Sequence, residues 1–164
     1  MKEIIYANTG EVKSGGAGII LNSGAIGSCV VITAYDSSKK MGIMAHIMLP
    51  GKAPSEKHPL TTRYAEDAIN VMLSQMSSTM NFKSFEVCLI GGANVLKREG
   101  DTIGEKNLNS VQQLLHENQI SINAKSVGGF ERRTAVFDIE YGSVYFTIGD
   151  SKQKLLWQTD TNLK

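Results

Sequence analysis

The chain has 164 residues, 41% of them hydrophobic and 20% charged, the profile of one globular domain and not of a disordered chain. Seventeen basic against sixteen acidic residues leave a net charge of +1, so there is no broad field for gripping nucleic acid or an anionic membrane. Two cysteines, Cys29 and Cys88, are too few for a disulfide framework. No apolar run approaches the ~20 residues of a membrane-spanning helix. The N-terminus carries Glu3 and lacks the apolar core of a signal peptide, so the expected setting is the reducing cytoplasm, with both thiols free.

Taken in chain order, glycines at 15, 16, 18, 24 and 27 predict short extended pieces joined by tight turns. Ser28–Tyr35 reads as a largely buried strand and Gly42–Leu49 as its partner, with the turn composition of Asp36–Lys40 making the pair a hairpin. Pro50, Pro54 and Pro59 mark an irregular loop. Thr61 or Thr62 is expected to cap a helix with the stripe Ala65, Ala68, Ile69, Met72, Leu73 and Met76, Met80 being less clearly part of it. Phe85–Ile90 is a short strand running into Gly91-Gly92. Thr102-x-x-Glu105 reads as a capping box for a second helix with Leu108, Val111, Leu114 and Leu115 inward. Ile120–Val127, Thr134–Glu140, Ser143–Ile148 and Lys154–Trp157 are expected strands. The class is therefore α+β: packed mixed or antiparallel sheets with two main helices. Residues 1–158 are expected to form one domain and 159–164 a frayed tail.

The chemistry concentrates in Ser23-Gly-Ala-Ile-Gly-Ser-Cys29 and Met44-Ala-His46-Ile-Met-Leu-Pro50. If Asp36 pairs with Met41, Cys29 lies opposite Met48 and His46 is its diagonal neighbour on the same face, within side-chain reach. A turn one residue different would put them on opposite faces. A thiol is mostly protonated at neutral pH and needs a base, which an imidazole supplies, later returning the proton to a leaving group. A hydroxyl such as Ser23 could hold the ring. Gly27 before Ser28-Cys29 permits a tight backbone whose amides could face a developing oxyanion. Against this, a cysteine opening a buried strand more often packs than reacts, and a histidine on a Met-lined face is usually a hydrogen-bonded core residue. Cys88, inside Val87–Ile90, reads as inert. Gly91-Gly92-Ala93-Asn94 lacks a full phosphate-binding pattern, and close backbone packing explains it better. Arg132-Arg133 reads as solvated surface. No spacing suggests a metal site and no cofactor is expected.

Gly27-Ser28-Cys29-Val30 followed by Met44-Ala45-His46-Ile47-Met48-Leu49-Pro50 resembles the chemoreceptor glutamine deamidase family, CheD. The likeness continues through Gly10-Glu11-Val12, Arg63-Tyr64-Ala65, Gly91-Gly92-Ala93, Ile103-Gly104-x-x-Asn107 and Gly128-Gly129 with Arg133. The resemblance implies a fold related to deamidase toxins, with Cys29 as nucleophile, His46 as base and acid, and Ser23 as orienting hydroxyl where the family usually has threonine. It implies conversion of chemoreceptor glutamines to glutamate, with glutamyl methyl esters as further substrates. The implied partners are the receptor's cytoplasmic helical bundle and a response-regulator phosphatase, CheC, which relatives bind and stimulate. A non-enzymatic adaptor for that phosphatase is the alternative. Ala25-Ile26 and Phe130-Glu131 depart from the family pattern, the former in the turn before Cys29.

Overall fold

A computed structural model describes residues 1–76 and 84–160; Met80 and residues 161–164 lie outside them. The strands, in chain order, are β1 (Glu3–Tyr6), β2 (Val12–Gly15), β3 (Ile19–Ile26), β4 (Val30–Asp36), β5 (Met41–Ile47), β6 (Glu86–Gly91), β7 (Ala124–Val127), β8 (Arg133–Asp138), β9 (Ser143–Ile148) and β10 (Lys154–Gln158). The helices are α1 (Ala65–Met76) and α2 (Ile103–Glu117). The strands form two five-stranded sheets, ordered β1-β3-β8-β9-β10 and β2-β5-β4-β6-β7. β1–β3 and β6–β7 are parallel pairs and the remaining pairs are antiparallel, so both sheets are mixed, as the α+β reading expects.

Two cores hold three layers together. One joins the helices to the second sheet through Val30, Ile32, Ile43, Ala45, Ile47, Leu89, Ile69, Met72, Val111 and Leu115. The other lies between the sheets, where Leu21, Ile26, Val31, Met44, Ile90, Phe137 and Ile139 meet. β4 and β5 are covered on both faces, which is why they read as nearly unbroken apolar runs. β8, with one face in solvent, alternates buried and half-buried residues.

The hairpin register is the expected one: Asp36 pairs with Met41, and the ladder runs back to Val30 opposite Ile47. Both expected helix caps differ. Thr61–Arg63 form a 3₁₀ turn, and the Thr62 hydroxyl donates to the Gly10 carbonyl instead of capping α1. At α2 no side chain caps from Thr102; the Asp101 carboxylate instead takes the Ile103 N–H, the first amide of the helix, in an Asx turn. The proline loop is irregular, but its ends are tied. The N–H groups of Met48 and Leu49 donate to Arg63 O, and Ala65 N–H donates to Leu49 O. The end of β5 is thereby joined to the start of α1. Thr159 donates to Gly142 O through its amide and to Glu86 through its hydroxyl.

Candidate active site

β4 and β5 carry side chains alternately toward the helices and toward the other sheet. Val31, Tyr35 and Met44 face the other sheet, and Cys29 and His46 share their parity. Cys29 stands one residue before β4, half-buried, and packs against the inter-sheet core. His46 is 2% exposed on that same face. The ladder ends with Val30 opposite Ile47 and Val31 opposite His46, and Cys29 stands one residue beyond that end on the same face as His46.

His46 is held firmly. Its backbone N–H donates to Glu11 O, its carbonyl accepts from Gly10 N–H, and β4 flanks it at Val31. Its Nδ1 lies 2.9 Å from the Ala7 carbonyl. A carbonyl only accepts, so Nδ1 carries the proton and Nε2 presents its lone pair. Burial pushes the His46 pKa down, partly offset by the Ala7 carbonyl and by Glu11. Burial pushes the Cys29 thiol up, partly offset by its own backbone N–H. Both shifts favour the uncharged form of the group, the thiol of Cys29 and the neutral imidazole of His46. Cys88 is pushed up to about 12, first by burial, and at 1% exposure is inert.

Ser23 is also brought to the inter-sheet face, on β3, which approaches β5 across the sandwich. It is 3% exposed. Its hydroxyl donates to Gly24 O (2.7 Å) and accepts the Ala135 N–H (2.9 Å). The bond that the resemblance assigns to this hydroxyl is made by the Ala7 carbonyl instead. The reason is local: the register of β3 shifts between Asn22 and Ala25, Gly24 takes φ +65°, and Ser23 stitches this irregular stretch to β8.

The turn that bears Cys29 is buttressed from below. Gly92 N–H donates to Cys29 O (2.8 Å) and Ala93 N–H to Gly27 O (3.0 Å). Gly91 has φ +116°, and a Cβ there would stand 2.2 Å from the Cys29 carbonyl. The Gly91-Gly92-Ala93 sequence is therefore a seat for the Cys29 backbone, the close packing expected of it. Gly27 packs against Val95, which would lie 3.1 Å from a Cβ at that position. Gly128 N–H donates to Gly91 O and Asn94 N–H to Gly129 O, so a second glycine loop braces the first. Arg133 orders that loop. It is 8% exposed and donates through Nε to Ser126 and through a guanidinium nitrogen to Gly128 O. The expectation of a solvated Arg133 is corrected: unpaired loop carbonyls need its donors. Arg132 lies at the surface, paired with Asp150.

Sequence reasoning missed two contributors. Ala7 acts through a carbonyl, which no side chain advertises. Asn107 is fully buried and donates to Ser28 O (2.9 Å) and Met48 O (3.0 Å). It stands one helical turn before Val111 on the core face of α2, and a polar residue in an apolar stripe was the available signal.

The fold is an α+β sandwich of two mixed five-stranded sheets and two helices, with Cys29 and His46 on the face between the sheets. The family model for CheD, described as CheD chemotactic sensory transduction, matches residues 48–147, and the chain belongs to that family. It is 37% identical over 159 residues, 96% of this chain and 79% of the relative, to a probable chemoreceptor glutamine deamidase CheD of Chlorobium luteolum. It is 33% identical to the chemoreceptor glutamine deamidase CheD of Halalkalibacterium halodurans, over 73% of this chain and 78% of that one. For the protein of the same name from Thermotoga maritima the identity is 30%, over 77% and 80%. Among solved structures, the C-terminal domain of CNFy from Yersinia pseudotuberculosis aligns over 96% of this chain and 62% of its own, at 12% identity and a TM-score of 0.40, too loosely to argue from. Among the described residues no helix is long and apolar enough to cross a membrane.

Proposed function

We propose that this chain is a cysteine amidohydrolase that converts glutamine side chains of chemoreceptors to glutamate, with Cys29 as nucleophile and His46 as proton carrier. The observation that carries the reading is the Ala7 carbonyl on Nδ1, which leaves Nε2 as the free base on the face that Cys29 shares. Membership of the CheD family and the names of the relatives support the substrate class.

Both groups rest neutral, so the thiol is activated as it attacks. Nε2 takes the thiol proton while sulfur bonds to the side-chain amide carbon, and the carbonyl electrons move to oxygen. The backbone N–H of Cys29 is the donor for that oxyanion in this reading, with Gly27 and Ser28 shaping the turn. The imidazolium then protonates the amide nitrogen, ammonia leaves, and a thioester remains. Water, losing a proton to Nε2, attacks the thioester; the thiolate departs and is reprotonated, and glutamate is released. The same steps expel methanol from a glutamyl methyl ester. Ser23 supports this machinery by stitching β3 to β8, and Ala7 holds the ring. Each turnover adds a negative charge to the receptor's cytoplasmic helical bundle, which biases its signalling state.

Peptide mass spectrometry of a receptor cytoplasmic fragment tests the reading. Wild type should add about 1 Da at particular glutamines, the exchange of NH₂ for OH. Cys29→Ala and His46→Ala, both folded, should add none. Wild-type turnover in either variant refutes the assignment.

A further inference from the structure

The role of Asn107 goes beyond packing. At 0% exposure it gives both amide protons to backbone carbonyls, Ser28 O at 2.9 Å and Met48 O at 3.0 Å, while its own Oδ1 has no partner. An unpaired buried acceptor is a cost that a leucine of similar volume would avoid, so the two donated bonds are what the position is for. Gly104, one turn earlier on the same helix face, makes them reachable. A Cβ there would stand 2.7 Å from Gly92 O and 2.8 Å from Ala93 O, so only glycine lets α2 close onto the seat of the nucleophile.

The carbonyl that Asn107 holds belongs to the same planar peptide as the Cys29 N–H, and no peptide bond among the described residues is cis. In a trans peptide oxygen and hydrogen point to opposite sides. Pulling Ser28 O toward α2 therefore aims the Cys29 N–H away from the helix. The second bond, to Met48 O, locks this peptide to the residue two positions beyond His46.

We propose that Asn107 is a positioning residue that orients the Ser28–Cys29 peptide, so that its N–H stabilises the oxyanion formed on the substrate amide when Cys29 attacks. This rests on Cys29 being the nucleophile. An oriented donor acts on the transition state, so its loss lowers kcat and leaves KM alone.

The test uses the full chain with Asn107→Leu, which matches volume, and Asn107→Ser, which keeps one short donor, both checked for folding by circular dichroism. Ammonia release from a receptor fragment gives kcat and KM. Alkylation of Cys29 by iodoacetamide, read by peptide mass spectrometry, supplies a reaction that forms no oxyanion. The expected result for Asn107→Leu is a kcat lower by about 100-fold with KM within twofold and alkylation within threefold; Asn107→Ser falls between it and wild type. Wild-type kcat in a folded variant overturns the proposal, and so does a parallel loss of alkylation, which would place the effect in the thiol. Activity in Cys29→Ala would instead remove the nucleophile assignment itself.

Discussion

Replacing Gly91 with alanine puts the seat of Cys29 under direct strain. The new Cβ would lie 2.2 Å from Cys29 O, where real Cβ contacts do not fall below 3.0 Å, so the two backbones must part by about 0.8 Å. Flexible side chains cannot absorb this, since the atom met is a carbonyl oxygen held by Gly92 N–H. The φ of +116° adds about 1–3 kcal/mol of backbone strain for a residue with a side chain. A shift approaching 1 Å at a reacting group costs on the order of 10² in rate, equivalent to about 2.7 kcal/mol of barrier. The expected outcome is a destabilisation of about 1–3 kcal/mol by urea unfolding, together with a kcat lower by about 100-fold per folded molecule. Gly18→Ala is the matched control. Its φ is +88° and a Cβ there meets nothing within 4 Å, so it carries strain of about 1 kcal/mol with unchanged kcat. Equal kcat in the two variants would show that the Gly91 contact with Cys29 O does not position Cys29 for reaction.

The pH dependence follows from the two buried groups. With the His46 pKa lowered, the acid limb of kcat/KM should fall below the ordinary imidazole value of 6.5. Between that lowered value and 6.5 the unfolded chain binds more protons than the folded one. Stability is therefore full above 6.5 and lost as pH falls through the folded value, as urea titrations at stepped pH would show. In the free enzyme, alkylation of Cys29 should inflect above the ordinary thiol value of 9.0; a plateau near neutrality would mean a preformed thiolate–imidazolium pair and a different mechanism. Ser23→Ala leaves the buried Ala135 N–H unpaired and should cost about 1–3 kcal/mol of stability. Its kcat per folded molecule should stay within tenfold of wild type, because Ala7 still holds the ring; a loss equal to that of Cys29→Ala would show the hydroxyl acting on the ring itself.

Much of this protein is written in local pattern. β4 and β5 are legible because strands covered on both faces are continuously apolar, and the four-residue link between them permits the register that pairs Asp36 with Met41. The α1 stripe is legible because a helix packed on a core repeats its apolar residues every three or four positions. Cys29 and His46 could be picked out because that register puts them on one face. The caps were not legible: residues one apart can serve different orphan amides at a helix start, and a tertiary partner such as the Gly10 carbonyl can draw the expected hydroxyl away.

What the sequence by itself determined is the strand pair on one face of which His46, and Cys29 just before it, are placed. Only the tertiary structure decided what holds them. Ala7, on the loop after β1, supplies the carbonyl that sets the His46 tautomer. The Gly91–Ala93 turn, far along the chain, supplies the seat for Cys29, and Asn107 on α2 supplies the tie between Ser28 and Met48. These groups act through backbone atoms that every residue has, or on backbone atoms far away in sequence. Hydrogen bonding to the main chain has no residue code, so its partners are settled only when the sheets and helix close together.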